Sequence, residues 1–552
     1  MCGILAILGK EYNINSFSNS LKILRHRGPD YTGIIASNKF VLGHERLCIV
    51  GLNTGNQPFN INNIQLIANG EIYNHIELKE QIINEGYLGK FYGDSDCEII
   101  LHLYKHYGEH FQEKCTLCGM YAYVLCDKLN NIFVVGRDIY GIIPLYIGWT
   151  ENNIYFASEL KALKDCKNID IFKPNNYSVG DINTLMFKNY NHCKSKWIYD
   201  IEFIPKGEYI PNVLKSKFIN SVKRHMMCDV NYAVLLSGGL DSSLVASIVT
   251  KEIQKTGKRL KTFSIGLADS SDLKAAKIVS EFLDTDHTSI EYTLEEGLMY
   301  LKDVIYTLET FDVTTIRASI PMYIMGRKIK SLGIKMVLSG EGADEIFGGY
   351  LYFHKAPNKE EFHKELVRKV KKLHLYDNLR ANKSLMAWGI ETRVPFQDTE
   401  FMEYVMNIDP KYKMCSGDKI QKHILREAFV GDFVGDYLPD EVLWRQKEQF
   451  SDGVGYSWID GLKELSNNKV TDLMLSLADK SYPVSTPLTK EAYLYRQIFS
   501  DIFTKSEVNT VPFEKSIACS TGDVMHWDES FIHNSDPSGL SVKDIHNLII
   551  PK

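Results

Sequence analysis

The residues that could do chemistry fall into a few short stretches. Cys2 is small enough for Met1 to be clipped off, which would leave a thiol and a free α-amine on one residue. Such an amine has an ordinary pKa of about 7.7–8.0, so it could take the thiol proton itself near neutral pH. Further on, Ser237-Gly238-Gly239-Leu240-Asp241-Ser242-Ser243 follows the apolar run Ala233–Leu236. A glycine-rich turn between a strand and a helix aims backbone N–H groups and a helix N-terminus at one point, which suits an anion. It is not a Walker A loop, because no Gly-Lys-Ser/Thr follows. A third stretch, Ser339-Gly340-Glu341-Gly342-Ala343-Asp344-Glu345, gathers acids at a strand end. Opposite a phosphate loop, the carboxylates of Asp241 and Asp344 suit Mg²⁺, which takes carboxylate and substrate oxygens together. Arg445-Gln446-Lys447-Glu448 could supply the cation that the turn itself lacks.

The elements that must position these residues are legible in outline. The spacing predicts strands at Ile64–Asn69, Met120–Cys126, Ile132–Gly136 and Ile154–Ala157, and a helix at Glu98–His106. Many strands with few helices suggest a sandwich of two sheets. The second half alternates strand and helix. After Ala233–Leu236 comes an apolar helical face ending near Gly257, then strands at residues 261–267 and in Asp286–Tyr292, a helix over Asp272–Leu283 and a strand at Lys335–Leu338. This alternation argues a parallel, doubly wound sheet with ligands at the strand C-terminal ends. Residues 166–200 read as polar and loop-rich, Phe429–Tyr437 as a loop enlargement, and residues 460–552 as mixed and polar.

Two resemblances follow from these stretches. Ser237–Ser242 resembles the SGGxDS loop of the ATP pyrophosphatases, which split ATP between the α and β phosphates. Cys2, Arg25–Asp30, Gly43–Val50, Asn69-Gly70-Glu71, Asp96 and Gly136-Arg137-Asp138 resemble the class II glutamine amidotransferases, which are N-terminal-nucleophile hydrolases. Together they resemble glutamine-hydrolysing asparagine synthetase, close to the bacterial B type. The resemblance implies a glutaminase domain over residues 2–200 and a synthetase domain over residues 201–552. Cys2 would attack the glutamine amide, with Asn69 and Gly70 as the oxyanion hole. Arg46 would bind the α-carboxylate, Leu47, Cys48, Ile49 and Val50 would line the glutamine site, and Glu71 and Asp96 would meet the α-amino group. Leu236, Ile265, Ser339 and Gly340 would hold the adenosine part of ATP, and Ser237, Gly238, Gly239, Asp241 and Ser242 its phosphates. Thr314 and Arg317 would bind aspartate, Glu341 would serve formation of β-aspartyl-AMP, and Lys447 would reach the phosphates. ATP and Mg²⁺ are implied, and so is a homodimer.

Composition bounds the partners. A charge of 63 − 69 = −6 gives no basic field for nucleic acid. No apolar run is long enough to span a bilayer. Eleven scattered cysteines fit a reducing cytoplasm. Three rival readings remain: another acceptor acid, an RNA-modifying enzyme with the same ATP loop, and a catalytically dead scaffold.

Overall fold

The computed structural model describes residues 1–533 except 194, 416–418, 432–435, 447, 449, 514–515 and 518–519. Lys447 therefore lies outside the described residues, as does part of the Phe429–Tyr437 loop.

The first half folds as two antiparallel sheets of six strands. One runs, edge to edge, Asn168–Ile171, Tyr146–Trp149, Asn153–Ala157, Gly3–Gly9, Phe40–Arg46 and Tyr31–Ala36. The other runs Phe187–Asn191, Asn176–Asp181, Ile132–Arg137, Gly119–Asp127, Ile64–Ile72 and Phe59–Ile61. Gly3–Gly9 is buried throughout, which fixes Cys2 at the mouth of its sheet. In the second sheet Asn69 and Gly70 pair with Ala122 and Tyr121. Gly70 has φ +138°, and a Cβ there would lie 1.9 Å from the Met120 carbonyl, so the position admits only glycine. Residues 166–200 depart from the loop-rich expectation. They supply three strands, of which Asn168–Ile171 and Phe187–Asn191 lie at sheet edges, where polar faces hide their period.

The second half carries a five-stranded parallel sheet in the order Asp286–Glu291, Lys261–Gly266, Tyr232–Leu235, Met336–Leu338 and Glu391–Arg393. The strand order reverses between Tyr232–Leu235 and Met336–Leu338. In a doubly wound sheet that switch point opens the ligand crevice at the strand C-terminal ends. The turn 237–242 and the acidic loop 339–345 leave those two ends. Residues 460–533 also depart from expectation. Tyr456–Lys469 and Lys490–Ile502 are helices, and Trp458 and Tyr495 on them are fully buried.

The halves share two apolar clusters, one from Ile4 and Ile142 to Phe347 and Phe396 and one from Leu5 and Leu160 to Phe263 and Leu308. Polar ties cross the same seam. Asp30 pairs with Lys335 at 2.7 Å, and the Asp229 backbone N–H donates to the Ile49 carbonyl at 2.9 Å. Glu71 pairs with Arg393 at 3.1 Å.

Candidate active sites

The first site forms where the two antiparallel sheets meet. The Cys2 backbone N–H donates to Asn69 Oδ1 at 2.6 Å, and the Leu47 N–H donates to Cys2 Sγ at 3.4 Å. Arg27 Nε donates to the Cys2 carbonyl at 2.9 Å. Burial pushes the Cys2 thiol up to about 11. The thiol is therefore protonated at neutral pH unless a base sits beside it. Met1 carries the α-amine, which is buried and paired with Glu391. Asn382 Nδ2 lies 2.9 Å from Met1 Sδ, so the methionine fills a slot between the halves.

Glu71 and Asp96 are nearly inaccessible to solvent. The Ile72 N–H donates to Asp96 Oδ2 at 2.6 Å. Burial raises both carboxyls, and the like charges of Glu391 and then Asp96 raise Glu71 further. A substrate ammonium between them would relieve that repulsion. Cys48, Ile49 and Val50 form the loop after Leu47. The Cys48 N–H donates to Asp30 at 2.8 Å, and the Gly51 N–H to Asp229 at 2.8 Å. Arg46, expected to bind the glutamine α-carboxylate, is engaged by its own loop. Its terminal nitrogens donate to the carbonyls of Leu52 and Gly51 and to Asn56 at 3.1, 2.8 and 2.8 Å. The loop closes on the arginine because its own carbonyls are the nearest acceptors.

The second site is the crevice at the switch point. Leu236, Ser237, Gly239, Asp241, Ser242, Ile265, Ser339 and Gly340 line it, together with Glu341, Asp344 and Thr314. Gly238 sits behind the turn with φ +75°, where a Cβ would lie 2.4 Å from the backbone of Ala275 and Ala276. The helix Leu240–Gln254 starts at the turn, and Ser237 Oγ and Ser242 Oγ lie 3.1 Å apart across it. Asp241 and Asp344 face each other across Lys422, whose Nζ lies 2.6 Å from Asp344 Oδ1 and also pairs with Asp241. Asp241 Oδ1 is buried without a hydrogen-bond partner among the described residues. Two hard carboxylates with an unused buried oxygen fit Mg²⁺. Glu341 Oε2 accepts from Arg380 at 2.7 Å.

Arg317, expected at the aspartate site, binds Glu491 through its Nε and one terminal nitrogen at 2.9 and 2.6 Å. Glu491 comes from the helix Lys490–Ile502, so the pairing is invisible to local spacing.

The glutamine amidotransferase domain family matches residues 1–222, and the asparagine synthase family matches residues 213–362 and 355–527. Asparagine synthetase [glutamine-hydrolyzing] 2 of Oryza sativa subsp. japonica is 49% identical over 564 residues, which cover 99% of this chain and 93% of that protein. The chain belongs to the glutamine-hydrolysing asparagine synthetases. Asparagine synthetase [glutamine-hydrolyzing] 3 of Arabidopsis thaliana is 48% identical, with 99% of this chain and 95% of that protein covered. The Triphysaria versicolor asparagine synthetase is 49% identical, with 99% and 94% covered.

Within this asparagine synthetase fold, sequence reasoning misses Lys422, Arg380 and the pairing of Glu391 with the Met1 amine. Lys422 lies in a polar segment with no motif around it, and only its φ of +59° and 2% exposure mark it out. A Cβ at Gly349 would meet Lys422 Cε at 2.2 Å, so that glycine makes room for the lysine. Arg380 sits in the helix Asp377–Met386, where an arginine reads as a surface residue. Cys115 and Cys118 are buried, and burial pushes both thiols up to about 12, as suits structural cysteines.

Proposed function

We propose that this chain makes L-asparagine from L-aspartate with ammonia released from L-glutamine. ATP is split to AMP and diphosphate through a β-aspartyl-AMP intermediate. The observation that carries the proposal is the coexistence of two sites in one fold. One sets Cys2 against Asn69, and the other gathers the 237–242 turn, Glu341 and the Asp241–Asp344 pair at the switch point.

At the first site, removal of Met1 frees the Cys2 amine to take the thiol proton. The thiolate attacks the glutamine side-chain amide. Asn69 Nδ2 and the Gly70 N–H stabilise the oxyanion, because preorganised donors act best where charge develops. Glu71 and Asp96 receive the substrate ammonium. Arg46 shapes the Val50–Asn56 loop and exchanges loop carbonyls for the substrate carboxylate as glutamine binds. Leu47–Val50 wall the site.

At the second site, Leu236, Ile265 and Ser339–Gly340 hold adenosine, and the turn with Gly238 and Gly239 cradles the phosphates. Asp241 and Asp344 would hold Mg²⁺, which neutralises charge on the phosphate oxygens. Lys422 keeps the two carboxylates together and offers a fixed cation to the departing diphosphate. Thr314 and Arg317 contact aspartate, with Arg317 braced by Glu491. Glu341, oriented by Arg380, serves adenylate formation. Lys447 belongs to this reading as a phosphate contact. Adenylation is needed because a bare carboxylate resists nucleophiles. Ammonia passes through the seam between the halves, where water would otherwise protonate it.

The glutaminase unit is placed at residues 2–200 and the synthetase unit at residues 201–552. The enzyme is a cytoplasmic homodimer that binds neither nucleic acid nor membrane. The charge of −6 supports the former exclusion. Among the described residues no helix is long and apolar enough to cross a membrane.

Aspartate-dependent exchange of labelled pyrophosphate into ATP tests the proposal. Exchange should require L-aspartate and Mg²⁺ and proceed without glutamine. Exchange that ignores aspartate but answers to another acid would contradict it.

A further inference from the structure

The seam between the halves contains a group of charges with almost no access to water. Arg27, Glu159 and Lys161 come from the first half, and Glu309 and Lys383 from the second. Glu309 is their hub. Its carboxylate accepts the backbone N–H groups of Leu160 and Lys161 at 2.8 Å each and Lys161 Nζ at 3.0 Å, and it pairs with Lys383. Lys161 also pairs with Glu159 at 2.6 Å, and Glu159 pairs with Arg27 at 2.9 Å. Arg27 in turn holds the Cys2 carbonyl.

What the hub holds bears on chemistry. Glu309 caps the helix Leu301–Leu308 with φ +59°, a conformation a glutamate adopts only when its surroundings impose it. Thr310 and Phe311 follow and are buried, so the turn has little slack. Asp312 then caps the helix Val313–Ser331, accepting from the Thr315 N–H at 2.8 Å and from Thr314 Oγ1 at 2.7 Å. Thr314 and Thr315 line the crevice. Lys383, on the other arm, shares the helix Asp377–Met386 with Arg380, which holds Glu341.

We infer that Glu309, Lys161 and Lys383 form a positioning device through which the glutaminase half sets the aspartate-binding end of the synthetase site. None of the three touches substrate. A buried charge left without its partner is strongly unfavourable, so the group holds one arrangement or breaks as a whole. Lys161 belongs to the half that does no ATP chemistry, yet it fixes the turn from which Thr314 is presented. The inference rests on the proposed function, in which Thr314 contacts aspartate.

The test uses the full chain with ammonium as nitrogen donor, so that glutamine hydrolysis is not needed. Lys161→Met should raise the KM for aspartate about tenfold or more, as expected when a contact is displaced by a fraction of an ångström. The KM for ATP should stay within about twofold of wild type, since the adenosine and phosphate contacts come from other elements. Lys161→Arg should recover most of the loss, and Glu309→Gln, which keeps its acceptor for the two N–H groups, should fall between. An aspartate KM unchanged in Lys161→Met and Glu309→Gln would overturn the inference. So would an equal rise of the KM for aspartate and the KM for ATP, which would mark a merely structural role. A wild-type chain without aspartate-dependent ATP cleavage would instead overturn the proposed function, and this inference with it.

Discussion

At the scale of single residues the two sites differ in how they are armed. The Cys2 thiol is buried, raised to about 11, and unactivated while Met1 holds the amine on Glu391. Protein produced with methionine removal blocked should therefore lose glutamine hydrolysis by about a hundredfold or more, the scale of a missing general base. Ammonium-dependent synthesis should persist. Intact mass together with glutamate release checks both. Met1 is 2% exposed between the halves, so an aminopeptidase has to act before they close. Lys422 is the other residue on which much turns. Lys422→Met leaves Asp241 and Asp344 facing each other without their shared cation. Pyrophosphate binding, followed by calorimetry, should weaken about tenfold or more, the scale of one charge-assisted contact. Cys2, Asn69, Asp241 and Asp344 could be picked out from the sequence because each sits in a dense run of chemical residue types. Lys422, Arg380 and the pairing of Glu391 with the Met1 amine could not, because the partners are far apart in the chain.

At the scale of elements, the phosphate turn depends on one backbone conformation. Gly238 has φ +75° and no room for a Cβ against Ala275 and Ala276. Gly238→Ala must move the turn away from the helix Ser271–Leu283 and unseat the N–H groups that face the crevice. ATP binding should fall below detection in calorimetry, while glutamine hydrolysis, which uses the other sheets, is retained. The strand–turn–helix unit was legible because the glycines, serines and apolar run are contiguous. The strands within residues 166–200 and the helices within residues 460–533 were not. The edge strands Asn168–Ile171 and Phe187–Asn191 lack a clean apolar face, and the later helices mix buried polar groups such as Glu491 and Arg496 with their apolar side chains. The strand Glu391–Arg393 escaped because it is short and its charged side chains point into the seam.

At the scale of the whole molecule, the seam is held by buried ion pairs, and this fixes a pH response. Burial works to raise the Glu159 and Glu309 carboxyls, but His26, Lys161 and Arg27 outweigh it at Glu159, and Lys161 and Lys383 at Glu309. Both carboxyls are therefore held below the usual range. The stability they give is fully present above the unfolded carboxylate pKa of about 4.3 and is lost as pH falls through the folded values. Urea midpoints measured between pH 7 and pH 3 should drop more steeply at the acid end for the parent chain than for Glu309→Gln, which has already lost one of the two titrations. That both halves would be present was evident from the sequence, since each carries its own motifs. How they meet was not, because no local pattern encodes a pairing such as Glu309 with Lys161.

The central claim is that one chain moves nitrogen from glutamine to aspartate at the expense of ATP. The most direct measurement supplies Mg²⁺, ATP, L-aspartate and amide-¹⁵N-glutamine to the Met1-free protein with excess unlabelled ammonium in the buffer. The account predicts asparagine that carries ¹⁵N in its side-chain amide, formed together with AMP, diphosphate and glutamate, and only weakly diluted by the ammonium. Labelled ammonium and glutamate without labelled asparagine would contradict it.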